Sequence, residues 1–322
     1  MALTLLRLED IKRCISMKEA IDTMEIAFKQ LVTQKVIMPL RTPIPVQKQN
    51  ALTLTMPAYI PGQEALGVKV VSFFPNNAAK NLPSIYGTIL LLDATTGAIE
   101  AIMEGTYLTA VRTGAVSGLA TKYLAREDAK HLAIIGSGVQ AVTQLEAMAT
   151  VREIERVSIC SRNMERAKQF ADTISDHFEV SVFKDVRQAV KEADIICSAT
   201  NSTEPFIHLQ DIKPNVHINA IGSHTKEMRE VANDVLAKAL VIVDQKEAAL
   251  AEAGEIIHAI ANKALTETRL KELGHMLKKN TTYYKRRLTV FKSVGLAIQD
   301  ISIAQVVFQN ASLKRLGSKF TL

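Results

Sequence analysis

Short β-branched runs and stretches of helical period take turns along the second half of the chain. The runs are Arg156 to Cys160, Val180 to Phe183, Asp194 to Ser198, Val216 to Ile221 and Ala239 to Val243. Met164 to Ile174 and Val186 to Ala193 lie between them with the spacing of helices that bury one face. A sixth run, His131 to Ile135, opens the series and leads into Gly136, Ser137 and Gly138, then into a helix-compatible segment, Val139 to Thr150. Strands alternating with helices pair in parallel through right-handed crossovers. The second half therefore reads as an α/β domain of the Rossmann type, with a mainly parallel sheet.

The first half has a different rhythm. Ser16 followed by Glu19 forms a capping box, and Met17, Ala20, Ile21, Met24, Phe28, Leu31 and Val32 then recur at helical spacing. Pro39, Pro43 and Pro45 break that pattern around Arg41, which reads as a loop. Ala51 to Met56, Leu66 to Phe73, Ile85 to Leu92 and Ala98 to Met103 have strand character, and the turn Asp93 to Gly97 makes an antiparallel sheet their natural assembly. Thr109 to Ala125 combines an arginine with a helix start: Arg112 stands just before a helix rich in small residues that runs to Ala125, suited to close packing against another helix. At the far end, Leu288 to Ser293 is a further apolar run. The helix after it, through about Asn310, carries Leu296, Ile298, Ile301, Ile303, Val306 and Val307 to return the chain to the N-terminal half. A length of 322 residues suits about two domains.

Composition narrows the function. With 48% hydrophobic residues the chain can bury real cores. Its net charge of +6 is spread along the sequence apart from one dense run, Lys278 to Arg287, which reads as a solvated face because no nucleic-acid-binding module accompanies it. A basic balance suits anionic substrates and nucleotide cofactors. Cys14, Cys160 and Cys197 are far apart and have neither CxxC nor metal-ligand spacing, which points to a reducing compartment and no metal. The apolar stretch before Arg7 is too short for a secretory signal, and no apolar run approaches the roughly 20 residues of a membrane helix. A cytoplasmic protein without membrane or nucleic-acid partners is expected.

The candidate chemistry begins at the glycine turn. Gly136 permits a tight turn, Gly138 lets backbone approach a pyrophosphate, and Ala141 allows the helix close to its strand. With Ser137, Val139 and Gln140 they place free N–H groups where phosphates bind. After the second strand, Ser161 and Arg162 stand where an acidic residue would hold the ribose hydroxyls of NAD. They suit a 2′-phosphate, so NADP(H) is the preferred cofactor and NAD(H) remains possible. Ala199 and Thr200 after the fourth strand, and Ile221, Gly222 and Ser223 after the fifth, form polar turns on the nicotinamide side. His224 beside them is a candidate acid or a structural histidine. Arg112, near a helix start, could grip a carboxylate with its guanidinium and neighbouring N–H groups, and with Thr113 it also adjoins the expected cofactor. Lys69, embedded in a strand, either blunts a solvent edge or lines a carboxylate pocket.

Seven short motifs together carry a resemblance. They are P-L-R-T at Pro39 to Thr42, M-P-A-Y at Met56 to Tyr59, G-V-K-V-V at Gly67 to Val71, A-V-R-T-G-A at Ala110 to Ala115, G-S-G-V-Q-A at Gly136 to Ala141, I-N-A-I-G-S at Ile218 to Ser223, and T-V-F-K-S-V-G at Thr289 to Gly295. In this order and over nearly the whole length, they resemble the ornithine cyclodeaminase and μ-crystallin family. The resemblance implies a homodimer, with a substrate and dimerisation domain of α+β type built from residues 1–117 and 294–322 and a Rossmann NAD(P)-binding domain from 118–293 inserted between. It implies that Arg41, Lys69 and Arg112 bind a substrate carboxylate, and that Met56 and Thr88 line the pocket. Lys69 and His224 are then the candidates for proton transfer. Cyclodeaminases of the family carry an aspartate where this chain has His224, and many relatives have proline at Lys226. The expected reaction is therefore NAD(P)H-dependent reduction of a small cyclic α-imino acid, such as Δ1-pyrroline-2-carboxylate to proline. The alternatives are an alanine dehydrogenase, an ornithine cyclodeaminase, and an NADPH-binding, crystallin-like protein without turnover.

Overall fold

The computed structural model describes residues 2–33, 35–278 and 284–321. The chain forms two units, one from 1–112 with 296–322 and the other from 113–295. The expected boundaries were 117/118 and 293/294. The first crossing lies inside the unbroken helix Gly105–Leu124, where no turn or composition change marks it.

The first unit is built on a seven-stranded sheet. Strands β1 (Ala2–Leu6), β2 (Thr42–Val46), β3 (Ala51–Ile60), β4 (Ala65–Phe73), β5 (Ile85–Asp93), β6 (Ile99–Glu104) and β15 (Ser318–Thr321) lie in the order β15-β1-β6-β5-β4-β3-β2. From β2 to β6 neighbours are antiparallel, as the turn signals predict. The segment around Pro43 and Pro45 is a strand rather than a loop. It is an exposed edge strand, where a residue that cannot donate to the ladder is tolerated.

Helices Met17–Leu31 and Ala297–Leu313 pack on each other, and the second also packs on β3, β4 and β5. Ser16 Oγ accepts from the Glu19 N–H at 3.2 Å, while the Glu19 carboxylate accepts instead from Asn310 Nδ2 at 2.8 Å, so only half of the expected capping box forms. Gly67 lets the returning helix approach: a Cβ there would lie 2.9 Å from Ile301 Cδ1 and 2.5 Å from Leu90 O.

The second unit holds eight parallel strands. They are β7 (His131–Ile135), β8 (Arg156–Cys160), β9 (Glu179–Phe183), β10 (Ile195–Ser198), β11 (His217–Ala220), β12 (Leu240–Val243), β13 (Lys271–Glu272) and β14 (Thr289–Lys292), ordered β13-β12-β14-β11-β10-β7-β8-β9. The chain winds outward in both directions from β7 and β10, which makes their carboxyl ends the switch point of a doubly wound sheet. All six expected strands are present. The other two are the two-residue β13 and β14, which inserts between β11 and β12. Gly114 brings the Gly105–Leu124 helix against Val139–Val151, since a Cβ there would lie 2.4 Å from Thr143 O. Arg152 donates to the carbonyls of Thr121, Ala125 and Arg126 at 2.9, 2.8 and 2.7 Å, closing the end of the first of these helices.

The basic run Lys278 to Arg287 lies partly outside the described residues, and within it Lys285 pairs with Glu127 at 2.7 Å. Among the described residues, no helix is long and apolar enough to cross a membrane, and no group of three His, Cys, Asp or Glu side chains converges as a metal site.

Candidate active site

Register alone puts Lys69 in the interior. Antiparallel pairing sets Met56 opposite Lys69, Lys69 opposite Ile89, and Ile89 opposite Met103, so the four side chains form one row on the face covered by Ala297–Leu313. Lys69 is 1% exposed. An ammonium among apolar side chains needs a counter-charge, and Asp300 supplies it with Oδ2 at 2.7 Å from Lys69 Nζ. The other oxygen, Asp300 Oδ1, accepts from Arg112 Nε at 3.0 Å, and Arg112 Nη1 donates to Gln299 Oε1 at 2.8 Å. Gln299 and Asp300 occupy the first turn of their helix, where the backbone dipole favours negative charge.

Burial pulls the Lys69 pKa down to about 8. Asp300 opposes that fall, while the positive charges of Arg112 and Arg41 add to it. Arg41, half-buried just before β2, thus acts on the same group as Arg112. Three of the expected substrate contacts, Arg41, Lys69 and Arg112, are electrostatically joined, and Met56 lies in the Lys69 row at 2% exposure. Thr88 does not join them: it pairs with Val70 and stands exposed on the opposite face of the sheet. A one-residue offset in a strand is enough to reverse a side chain.

The second unit brings the other expected residues to the carboxyl end of its sheet. Gly136 has φ +118, and a Cβ on it would lie 2.6 Å from Ala199 O, so the turn after β7 and the turn after β10 touch through glycine. Gly138 is the N-cap of Val139–Val151, a helix without a side-chain cap, and a Cβ there would meet nothing within 4 Å. Open space before uncapped N–H groups fits a pyrophosphate. Ala141 is buried, Val139 is 67% exposed, and Gln140 lies between these extremes. Ser137 Oγ and Ser161 Oγ are 2.8 Å apart, linking the turns after β7 and β8. Arg162 is exposed and donates from Nη2 to Asn201 Oδ1 at 2.6 Å. Thr113 is buried, with its carbonyl accepting from Gln144 Nε2 at 3.3 Å.

Two buried carboxylates without a sequence signature of their own hold the turns after β10 and β11. Glu230 accepts from Thr200 N at 2.7 Å, Thr200 Oγ1 at 2.9 Å and Gly222 N at 2.8 Å. Burial raises its pKa, against the opposing charge of Lys292. Glu255 accepts from Ser223 Oγ and lies 3.4 Å from Lys292 Nζ, which donates to Ser223 O at 2.5 Å. Ile221 N donates to Ser198 O at 3.0 Å. His224 Nδ1 lies 2.9 Å from Gly222 O. The signal for Lys292 was a lone lysine in the apolar run T-V-F-K-S, and for Asp300 a Gln-Asp pair in an otherwise apolar helix.

Glycine-built turns at the switch point of a parallel sheet, in a chain whose other unit buries a lysine and an arginine around one aspartate, define a dinucleotide-dependent oxidoreductase. The chain belongs to the ornithine cyclodeaminase/mu-crystallin family, whose model matches residues 2–315. It is 39% identical over 314 residues to a Δ1-pyrroline-2-carboxylate reductase of Bacillus cereus, covering 96% of each chain. It superposes with a TM-score of 0.95 and 42% identity on the Thermococcus litoralis Δ1-pyrroline-2-carboxylate reductase in complex with NADH and L-proline, covering 98% of this chain and 99% of that one. An archaeal alanine dehydrogenase dimer with bound NAD matches at 32% identity and a TM-score of 0.93 over 100% of both chains.

Proposed function

We propose that this enzyme reduces a small cyclic α-imino acid of the Δ1-pyrroline-2-carboxylate type to the corresponding α-amino acid. The observation that carries the reading is the buried pairing of Lys69 and Arg112 around Asp300, with Arg41 acting on the same lysine. Two buried cations, Lys69 and Arg112, share one resident carboxylate and leave a positive excess, which a substrate carboxylate neutralises. Arg112 and Arg41 grip that carboxylate, Met56 packs against the ring, and Lys69 donates a proton to the imine nitrogen. A bound nicotinamide dinucleotide supplies the hydride for the imine carbon. The turns at Gly136 to Gln140, at Ala199 and Thr200, and at Ile221 to Ser223 hold it.

Lys69 is preferred to His224 as donor because it lies among the carboxylate-binding cations, whereas His224 Nδ1 is engaged with Gly222 O. With histidine at 224 in place of the aspartate expected of a cyclodeaminase, reduction of a preformed imine suits the site better than ornithine cyclisation. NADP(H) is the preferred cofactor in this reading, supported by exposed Arg162 after β8 and the lack of an acid there. The NADH and NAD held by the relatives keep NAD(H) in use. A homodimer is supported by exposed Ile44, Phe73, Ile85 and Tyr86 on the first unit's sheet and by the dimeric alanine dehydrogenase relative. A cytoplasmic location is supported by three free, buried cysteines.

The test is nicotinamide absorbance with Δ1-pyrroline-2-carboxylate and either NADPH or NADH. Rapid oxidation is expected. No oxidation by protein that binds the dinucleotide overturns the reading, with ammonia-dependent pyruvate reduction then indicating an alanine dehydrogenase. Ammonia release from ornithine would indicate a cyclodeaminase, and inactivity on all three a binding role.

A further inference from the structure

The geometry points to Asp300 as a positioning residue of the carboxylate clamp: one buried carboxylate fixes both the Lys69 ammonium and the Arg112 guanidinium for the incoming acid. The inference rests on the proposed reduction of an α-imino acid. Asp300 is 0% exposed, and each of its oxygens faces a different cation, Oδ2 to Lys69 Nζ at 2.7 Å and Oδ1 to Arg112 Nε at 3.0 Å. Gln299, its neighbour in the same helical turn, takes Arg112 Nη1 at 2.8 Å. Arginine only donates, so this contact also fixes the Gln299 amide with Oε1 toward Arg112. Two donor positions of the guanidinium are thereby fixed by the protein, which holds its plane for an incoming carboxylate.

The same carboxylate governs the charge state of Lys69. The charged groups acting on that ammonium are Asp300 from the Ala297–Leu313 helix, Arg112 from the Gly105–Leu124 helix, and Arg41 before β2. Asp300 is the one anion among them, opposing burial and two like charges. Without it Lys69 sheds its proton at lower pH, and both the clamp and the proton donor weaken together.

The test compares the wild type with Asp300→Asn in kcat/KM for Δ1-pyrroline-2-carboxylate across pH, with NADH binding followed separately by fluorescence. The wild type is expected to lose activity as pH rises through about 8, because the lysine must be charged. In Asp300→Asn the alkaline limb is expected about one to three pH units lower, with KM raised at least tenfold and NADH affinity retained. A variant that turns over less but keeps its alkaline limb in place assigns Asp300 a packing role and overturns the inference. Should Asp300→Asn not fold, Asp300→Glu decides: it keeps the charge and displaces it by one methylene, so the limb is expected to stay and kcat/KM to fall about tenfold, and unchanged kcat/KM overturns positioning. A wild type without imine reductase activity defeats the underlying reading instead, which separates the two failures.

Discussion

Replacing Arg112 with alanine separates its part in the fold from its part in binding. Arg112 is 7% exposed, so solvent screens it little. Removing one partner from a buried charge pair costs about 3–5 kcal/mol. Lys69 still faces Asp300, so the stability loss is expected at or below the lower bound of that range, about 2–3 kcal/mol, part of it from a buried Gln299 Oε1 left without its donor. The substrate acid loses a charge-assisted, planar contact worth about 3–4 kcal/mol, or two to three orders of magnitude in kcat/KM. Arg41→Ala is expected to cost only about tenfold, since a half-buried arginine is better screened. The assay is kcat/KM with Δ1-pyrroline-2-carboxylate beside a urea-denaturation midpoint and a separate NADH titration, which also tests whether Arg112 touches the cofactor. Less than a threefold loss for Arg112→Ala, or a greater loss for Arg41→Ala, would refute the assignment of the clamp.

Cofactor choice gives a second check. Arg162→Ala is expected to raise KM for NADPH about 10- to 100-fold, the value of one exposed charge-assisted contact to phosphate, and to leave KM for NADH within about twofold; equal effects on both would remove Arg162 from the selectivity. A third concerns the core of the second unit. His217 is 1% exposed between Thr289 Oγ1 at 2.8 Å and Asn219 Oδ1 at 3.2 Å, and burial drives its pKa down to about 3. The unfolded chain takes up this proton first as pH falls below about 6.5, so stability declines from there toward pH 3, by at most about 1.4 kcal/mol per pH unit from this group. Unfolding midpoints between pH 6.5 and 4 should show a shallower slope for His217→Asn than for the wild type, and identical slopes would contradict the account.

The elements with a local signature were legible in the sequence. β-branched runs gave six of the eight strands of the parallel sheet, and the glycine turn located its switch point because a φ of +118 at Gly136 is a local backbone demand. β14 was less legible: Lys292 interrupts the apolar pattern, and its neutralising partner Glu255 is far away in sequence. β2 was read as a loop because proline is a breaker in every setting except a sheet edge, and edge status is a tertiary fact. The basic members of the proposed clamp stood out by residue type in improbable settings, whereas Asp300 lies 188 positions from Arg112 and has no motif of its own. The face that Thr88 takes was illegible for a related reason, since it depends on register with β4 and β6.

The cost of burying charge distinguishes the polar residues that serve the fold from those that serve the site. Arg126 and Lys213, both partly exposed, reach Asp194 at 2.8 and 3.1 Å, and the same carboxylate accepts from the Lys130 and His131 N–H groups, so it satisfies backbone that would otherwise lack partners. Such a group earns its place by hydrogen bonding alone. Among the described residues, Lys69, Arg112 and Asp300 satisfy no backbone in this way. Lys69 lies in one row with Met56, Ile89 and Met103, where an apolar side chain of similar volume would pack, and replacing a buried ion cluster by such residues is commonly neutral or stabilising by about 1–4 kcal/mol. Folding therefore gives no reason to keep three charged side chains there, which supports the proposed grip on an acid. A cluster that carries excess positive charge before substrate arrives has its attraction for a carboxylate already in place, and Asp300 tempers that excess while it fixes the geometry.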